Sequence, residues 1–213
     1  MQNYKFGLFL FYIFYSFAFS ESVVAQTLYI IGDSLTEGYG VSESDAYPRK
    51  LEQLLNKNYP KLRVVSGSIS GATTAGATDR VKWFKQDKAD EKIFLLALGG
   101  NDLLRGIPPE SSYKNLKTAI LEARSMSSLV VLAGMKVPKN YGTPYRKDFD
   151  TIYPKLAKDL SVPFIPFLLE GVGSIPAFNQ PDGIHPNAQG HTKIATHVYE
   201  ALLPLLEKRK QAK

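Results

Sequence analysis

From residue 26 to the end of the chain, short apolar runs alternate with longer stretches of helical spacing. Residues 28–31, Leu-Tyr-Ile-Ile, are strand formers closed by Gly32. Similar runs follow at 62–65, 92–98, 129–133 and 163–167. The run at 92–98 is nearly continuous, as a central parallel strand covered on both faces requires. Between these runs, apolar positions fall three and four apart. Leu51, Leu54 and Leu55 predict a helix over 47–58, Val81 and Phe84 a short one over 78–85, and Leu116, Ile120 and Ala123 one over 111–126. Two more are predicted over 145–160, interrupted at Pro154, and over 187–206. Pro163 and Pro166 put the fifth strand at a sheet edge. The alternation predicts an α/β fold, with a five-stranded parallel sheet between two helical layers in one domain over 26–213.

Residues 1–25 stand outside this alternation. Lys5 precedes an almost unbroken apolar and aromatic run over 6–19, and Val23, Val24 and Ala25 offer short side chains at a cleavage position. The run is shorter than the roughly 20 residues a membrane-spanning helix needs. A signal peptide cleaved after Ala25 is expected, hence a periplasmic or secreted protein, with a retained anchor as the alternative.

Composition narrows the chemistry. The 213 residues include no cysteine, which excludes disulfides, thiolate metal sites, a cysteine nucleophile and a lipoprotein anchor. The net charge of +6 is compatible with transient contact with an anionic membrane surface. The basic tail over 208–213 contributes to that charge and reads as a solvated end. No nucleic-acid-binding motif accompanies the charge, and a monomer is expected.

The candidate chemistry lies on loops that follow the strands, and in a doubly wound sheet such loops gather at one edge. Ser34 sits directly after the first strand, although Asp33 and Ser34 could equally serve as a helix cap. Gly71 ends the loop after the second strand, Asn101 follows the third, and Asp182 and His185 lie three apart before the last helix. Alone, Asp182 and His185 could be a surface ion pair in a local turn. Taken together, the set is complete for acyl transfer. A serine hydroxyl needs a base, histidine is poised near neutral pH, and a carboxylate can hold the imidazole tautomer. The N–H groups of Ser34 and Gly71 with the Asn101 amide would form an oxyanion hole. Pro186 suits the first position of the closing helix. His191 and His197 are six apart on that helix, share no face, and read as ordinary helix residues rather than metal ligands. No G-x-S-x-G elbow, Walker or dinucleotide glycine pattern is present.

The stretches Gly32-Asp33-Ser34-Leu35, Gly71, Gly99-Gly100-Asn101-Asp102 and Asp182-Gly183-Ile184-His185-Pro186 resemble the four blocks of the SGNH (GDSL) hydrolases. The resemblance implies a flavodoxin-like α/β/α fold, Ser34 as nucleophile, His185 as base, Asp182 as its partner, and the same oxyanion hole. It implies no metal or cofactor, and hydrolysis of small or lipid-like esters and thioesters, lysophospholipids among them, through an acyl-serine. On this reading Leu103, Leu104, Ile107, Tyr141, Tyr145 and Ile184 are expected to line an acyl groove. Ala72 stands where close relatives carry an acidic residue. Pro108 and Pro109 are expected to stiffen the loop over 103–109 and narrow the range of acyl chains accepted. The rival readings are a carbohydrate O-acetyl esterase and a binding module without catalysis.

Overall fold

The computed structural model describes residues 26–127, 129–138 and 142–211. The expected leader and Tyr141 lie outside the described residues. Five strands, β1 (Gln26–Gly32), β2 (Arg63–Ser66), β3 (Glu91–Ala97), β4 (Leu129–Ala133) and β5 (Phe164–Ile165), form one all-parallel sheet in the order β2-β1-β3-β4-β5. All seven residues of β3 are buried, and β1 is buried from Thr27 onward. The two central strands therefore carry the continuous apolar runs, because helices cover both of their faces. β5 has only two residues between Pro163 and Pro166 and pairs on one side alone, as strands flanked by residues without an N–H must.

Among the described residues, seven helices complete the layers: α1 (Ser34–Glu37), α2 (Tyr47–Leu55), α3 (Ala77–Trp83), α4 (Gly100–Leu104), α5 (Pro109–Met126), α6 (Thr143–Leu160) and α7 (Ala188–Gln211). α2 packs on α7, while α3 packs on α5 and α5 on α6. Leu51 and Leu55 of α2, Leu116 and Ile120 of α5, and Ile194, Val198 and Leu202 of α7 close over the sheet in one core. The chain leaves β1 toward β2 and leaves β3 toward β4, so the order reverses between two neighbouring strands. Ligands bind outside the carboxyl ends of the strands at such a switch point.

Three expectations need correction. α6 runs unbroken through Pro154, because buried Phe149, Ile152, Tyr153 and Leu156 hold its turns against the sheet and α5. Pro186 does not open the last helix. It pairs in an isolated bridge with Asn179, and the Asn187 side chain caps α7 by accepting from the N–H groups of Gln189 and Gly190, both at 3.0 Å. The basic tail is not merely solvated: α7 continues to Gln211, and Arg209 pairs with the buried carboxylate of Glu91.

Candidate active site

The turn after β1 carries Asp33 and Ser34 at the start of α1. Asp33 is the N-cap of α1, its Oδ1 accepting from the Leu35 N–H at 3.1 Å, while Ser34 opens the helix and turns its hydroxyl toward His185. Burial pushes the Asp33 carboxyl up to about 6, against the Leu35 N–H and the Asn101 amide, which lower it. Its Oδ2 is buried with no hydrogen-bond partner among the described residues; the Asn101 amide stands close without closing a hydrogen bond.

His185 comes from the loop before α7. Its Nε2 lies 3.0 Å from Ser34 Oγ and its Nδ1 2.7 Å from Asp182 Oδ2. Asp182 Oδ1 accepts the backbone N–H groups of Ile184 at 2.8 Å and His185 at 3.0 Å. These donors hold the carboxyl down to about 2, so at neutral pH it is an anion that can only accept. The imidazole proton therefore resides on Nδ1, which leaves Nε2 free to accept from the serine hydroxyl. The loop is clipped in place: the Gln180 N–H donates to the His185 carbonyl at 2.7 Å, and Gln180 Nε2 donates to the carbonyls of Tyr39 and Pro186 at 2.6 and 3.0 Å. The Tyr39 ring lies 4.7 Å from that of His185, centroid to centroid.

The loops after β2 and β3 complete the edge. Gly71 adopts φ +76°, a left-handed conformation that a side chain would strain, and its carbonyl accepts from Arg105 Nη2 at 3.0 Å. Glu37 of α1 accepts from the N–H of Ser70 at 2.6 Å and from its hydroxyl. The loop is thus held by Glu37 on one side and Arg105 on the other. After β3, Gly99 stands at φ +125°, and a Cβ there would come within 1.9 Å of the Tyr153 hydroxyl, which donates to the Leu98 carbonyl at 2.9 Å. Asn101 and Asp102 lie in α4. The fully buried Asp102 accepts from the Thr74 N–H and hydroxyl at 2.9 and 2.5 Å and from the Ser112 hydroxyl at 2.9 Å, tying α4 to α5 and to the turn before α3.

A cavity of about 670 Å³ opens at Ser34 and His185. Of the residues expected in an acyl groove, Leu103, Leu104 and Ile184 line it, beside Asn101. Ile107 and Tyr145 do not. The Tyr145 hydroxyl donates to the Ile107 carbonyl at 2.9 Å and its ring stacks on Phe149, so this pair braces the wall from outside. The far wall was not expected: Met135 and Val137 from the loop after β4, and Phe167 and Leu169 from the loop after β5, supply it. His197 holds that second loop by donating from Nε2 to the Phe167 carbonyl at 3.0 Å. Among the described residues, no group of histidine and carboxylate side chains could hold a metal ion.

The chain matches the GDSL-like Lipase/Acylhydrolase family over residues 30–193. It is 37% identical over 198 residues to thioesterase 1/protease 1/lysophospholipase L1 of Escherichia coli K12, spanning 93% of this chain and 92% of that protein. It is 35% identical over 189 residues to esterase TesA of Pseudomonas aeruginosa, spanning 88% and 92%. Two solved structures are similar at 34% identity. The crystal structure of TesA has a TM-score of 0.80, covering 84% of this chain and 99% of that one. AlinE4, an SGNH-hydrolase family esterase, has a TM-score of 0.70, covering 85% and 97%. Sequence and fold thus lead to one conclusion: the chain belongs to the GDSL-like lipase/acylhydrolase family.

Proposed function

We propose that the protein is a serine esterase in which Ser34 is the nucleophile, His185 the general base and Asp182 the partner of the imidazole. The observation that carries this reading is the hydrogen-bonded relay from Ser34 Oγ through His185 to Asp182 at the mouth of an apolar cavity. As Ser34 Oγ attacks the ester carbonyl, its proton passes to His185 Nε2 and the carbonyl electrons become an oxyanion. The imidazolium returns that proton to the departing alcohol or thiol, leaving an acyl-serine. Water then attacks by the same route in reverse, releasing the acid and restoring Ser34. The donors to the oxyanion are the N–H groups of Ser34 and Gly71 and the amide of Asn101, each worth about 10²- to 10³-fold in rate.

The substrates are acyl esters and thioesters, in keeping with relatives named as esterase, lysophospholipase and thioesterase. A cavity of about 670 Å³, walled by Leu103, Leu104, Met135, Val137, Phe167 and Ile184, favours acyl chains well beyond acetyl and disfavours a deacetylase restricted to acetate. Pro108 caps α5, Pro109 opens it, and Tyr145 grips Ile107, so the wall bearing Leu103 and Leu104 is stiff. Rates should therefore peak over a narrow range of acyl lengths.

The test is hydrolysis of p-nitrophenyl esters from acetyl to palmitoyl by the chain and by Ser34→Ala. Medium- or long-chain activity lost in the variant is the expected result. Activity confined to acetate moves the assignment to a deacetylase, and a flat profile removes the stiff wall. Residues 1–25 are, on this reading, a leader removed on export from a single folded domain. The N-terminus of the exported protein should then be Gln26, and an N-terminus at Met1 would overturn it.

A further inference from the structure

Tyr39 is exposed over 55% of its surface and adds little to the core, yet its backbone is held at both ends. Its N–H donates to the carbonyl of Ser34 at 3.1 Å, and its carbonyl accepts from Gln180 Nε2 at 2.6 Å. Gln180 in turn donates its own N–H to the His185 carbonyl at 2.7 Å. Tyr39 is thus tied to the nucleophile on one side and to the loop of the general base on the other. Its ring lies 4.7 Å from that of His185, centroid to centroid, inclined at 42°. A single exposed aromatic ring is ordinary on a protein surface. One fixed in place against the base of the reaction has a position that the core does not require.

The cavity at Ser34 is walled by the loops that follow β3, β4 and β5 together with Ile184 and His185, so it extends from β1 toward the β5 edge of the sheet. Tyr39 does not line it. An ester centred on Ser34 Oγ has two arms, and the cavity takes the acyl arm. In the acylation step Ser34 Oγ bonds to the acyl carbon and the bond from that carbon to the alcohol oxygen breaks. His185 Nε2 then gives the alcohol oxygen its proton. That oxygen must therefore sit at Nε2, and the rest of the alcohol must leave past the imidazole, outside the cavity. The ring packed against the imidazole there is Tyr39. We infer that Tyr39 is a platform for the leaving group, a subsite that selects esters whose alcohol carries a flat aromatic group next to the ester oxygen. The platform rests on the esterase reading and adds to it a second subsite beside the acyl cavity.

The test compares two esters with the same acyl group and with alcohols of similar size and acidity, benzyl butyrate and cyclohexylmethyl butyrate. The parent chain should prefer the benzyl ester by about three- to tenfold in kcat/KM, the size of one aromatic contact. Tyr39→Ala should lose that preference. Tyr39→Phe should keep it, because the ring and not the hydroxyl makes the contact. The ratio isolates the leaving group, since a shifted imidazole or a fraction of unfolded chain slows both esters alike. No preference in the parent, a preference that survives in Tyr39→Ala, or its loss in Tyr39→Phe would each overturn the platform. Hydrolysis of p-nitrophenyl butyrate with no preference between the two test esters removes the platform and leaves the esterase standing. A folded chain that hydrolyses none of the three removes the esterase and the platform with it.

Discussion

His185 and His191 lie six residues apart at the two ends of one turn-to-helix transition, and the structure gives them opposite properties. His185 is on the loop, half-buried, with a carboxylate on one ring nitrogen and a serine hydroxyl on the other. His191 is fully buried in the first turns of α7, its Nδ1 accepting from the Tyr47 N–H at 3.2 Å at the start of α2. Desolvation, with help from the charge of Lys50, lowers His191 to about 4, so it stays neutral where most histidines begin to charge. A carboxylate partner and an open face make one imidazole fit for proton transfer. Removing both makes the other a helix cap that joins α2 to α7.

Activity separates the two histidines most sharply. His185→Ala or Ser34→Ala should lower kcat by about 10⁴-fold or more with little change in melting temperature, whereas His191→Ala should retain most activity per folded molecule. Ester hydrolysis measured beside thermal unfolding checks both halves. Next in size is Asp182→Asn, which should cost about 10³- to 10⁴-fold in kcat, because an amide can present its N–H to Nδ1 and favour the wrong tautomer. A drop of less than tenfold would mean that the imidazole is oriented by its loop alone.

Stability carries the next effect. His191→Ala strands the Tyr47 N–H and opens a buried void, for roughly 2–4 kcal/mol and a melting temperature lower by roughly 5–10 °C. The smallest effect is on pH dependence, where His191 is opposed by Asp33. His191 titrates lower in the folded chain than unfolded, so its contribution to stability is lost as pH falls from 6.5 toward 4. Asp33 titrates higher in the folded chain, so its contribution is lost as pH rises from 3.8 to about 6. Each is on the order of 2–3 kcal/mol and they largely cancel. In Asp33→Asn the cancellation should fail: urea unfolding should find stability climbing steeply between pH 4 and 6.5. A profile as flat as that of the parent would place Asp33 in a wetter site than its burial implies.

The sequence reveals this contrast unevenly. The strands and their loops are legible because strong local signals mark them, an apolar run ending at Gly32 or the Asp182–Pro186 stretch before a helical pattern. His191 was open to the same logic: it shares a helical stripe with Ile194, Ala195, Val198 and Leu202, which places it inward. The cavity wall was harder, since Met135, Val137, Phe167 and Leu169 in a loop look no different from core residues. Glu37 and Arg105 leave no local pattern at all, because each acts on a loop 33 or 34 residues away in the chain. Pro154 shows the limit of a local rule, since packing on both sides outweighs one missing hydrogen bond.

Glu91, at the start of the central strand β3, accepts from the Gln26 amide at 2.7 Å and from Arg209. The first residue of β1 and the last turn of α7 therefore meet on one carboxylate, at the sheet edge opposite Ser34. Topologically, the path from Gln26 to Arg209 is almost a closed ring. A short linker joining those two points would permit a circular permutant with new ends cut elsewhere in the ring. A bead, dye or fusion partner attached at either position would leave the mouth of the enzyme facing outward.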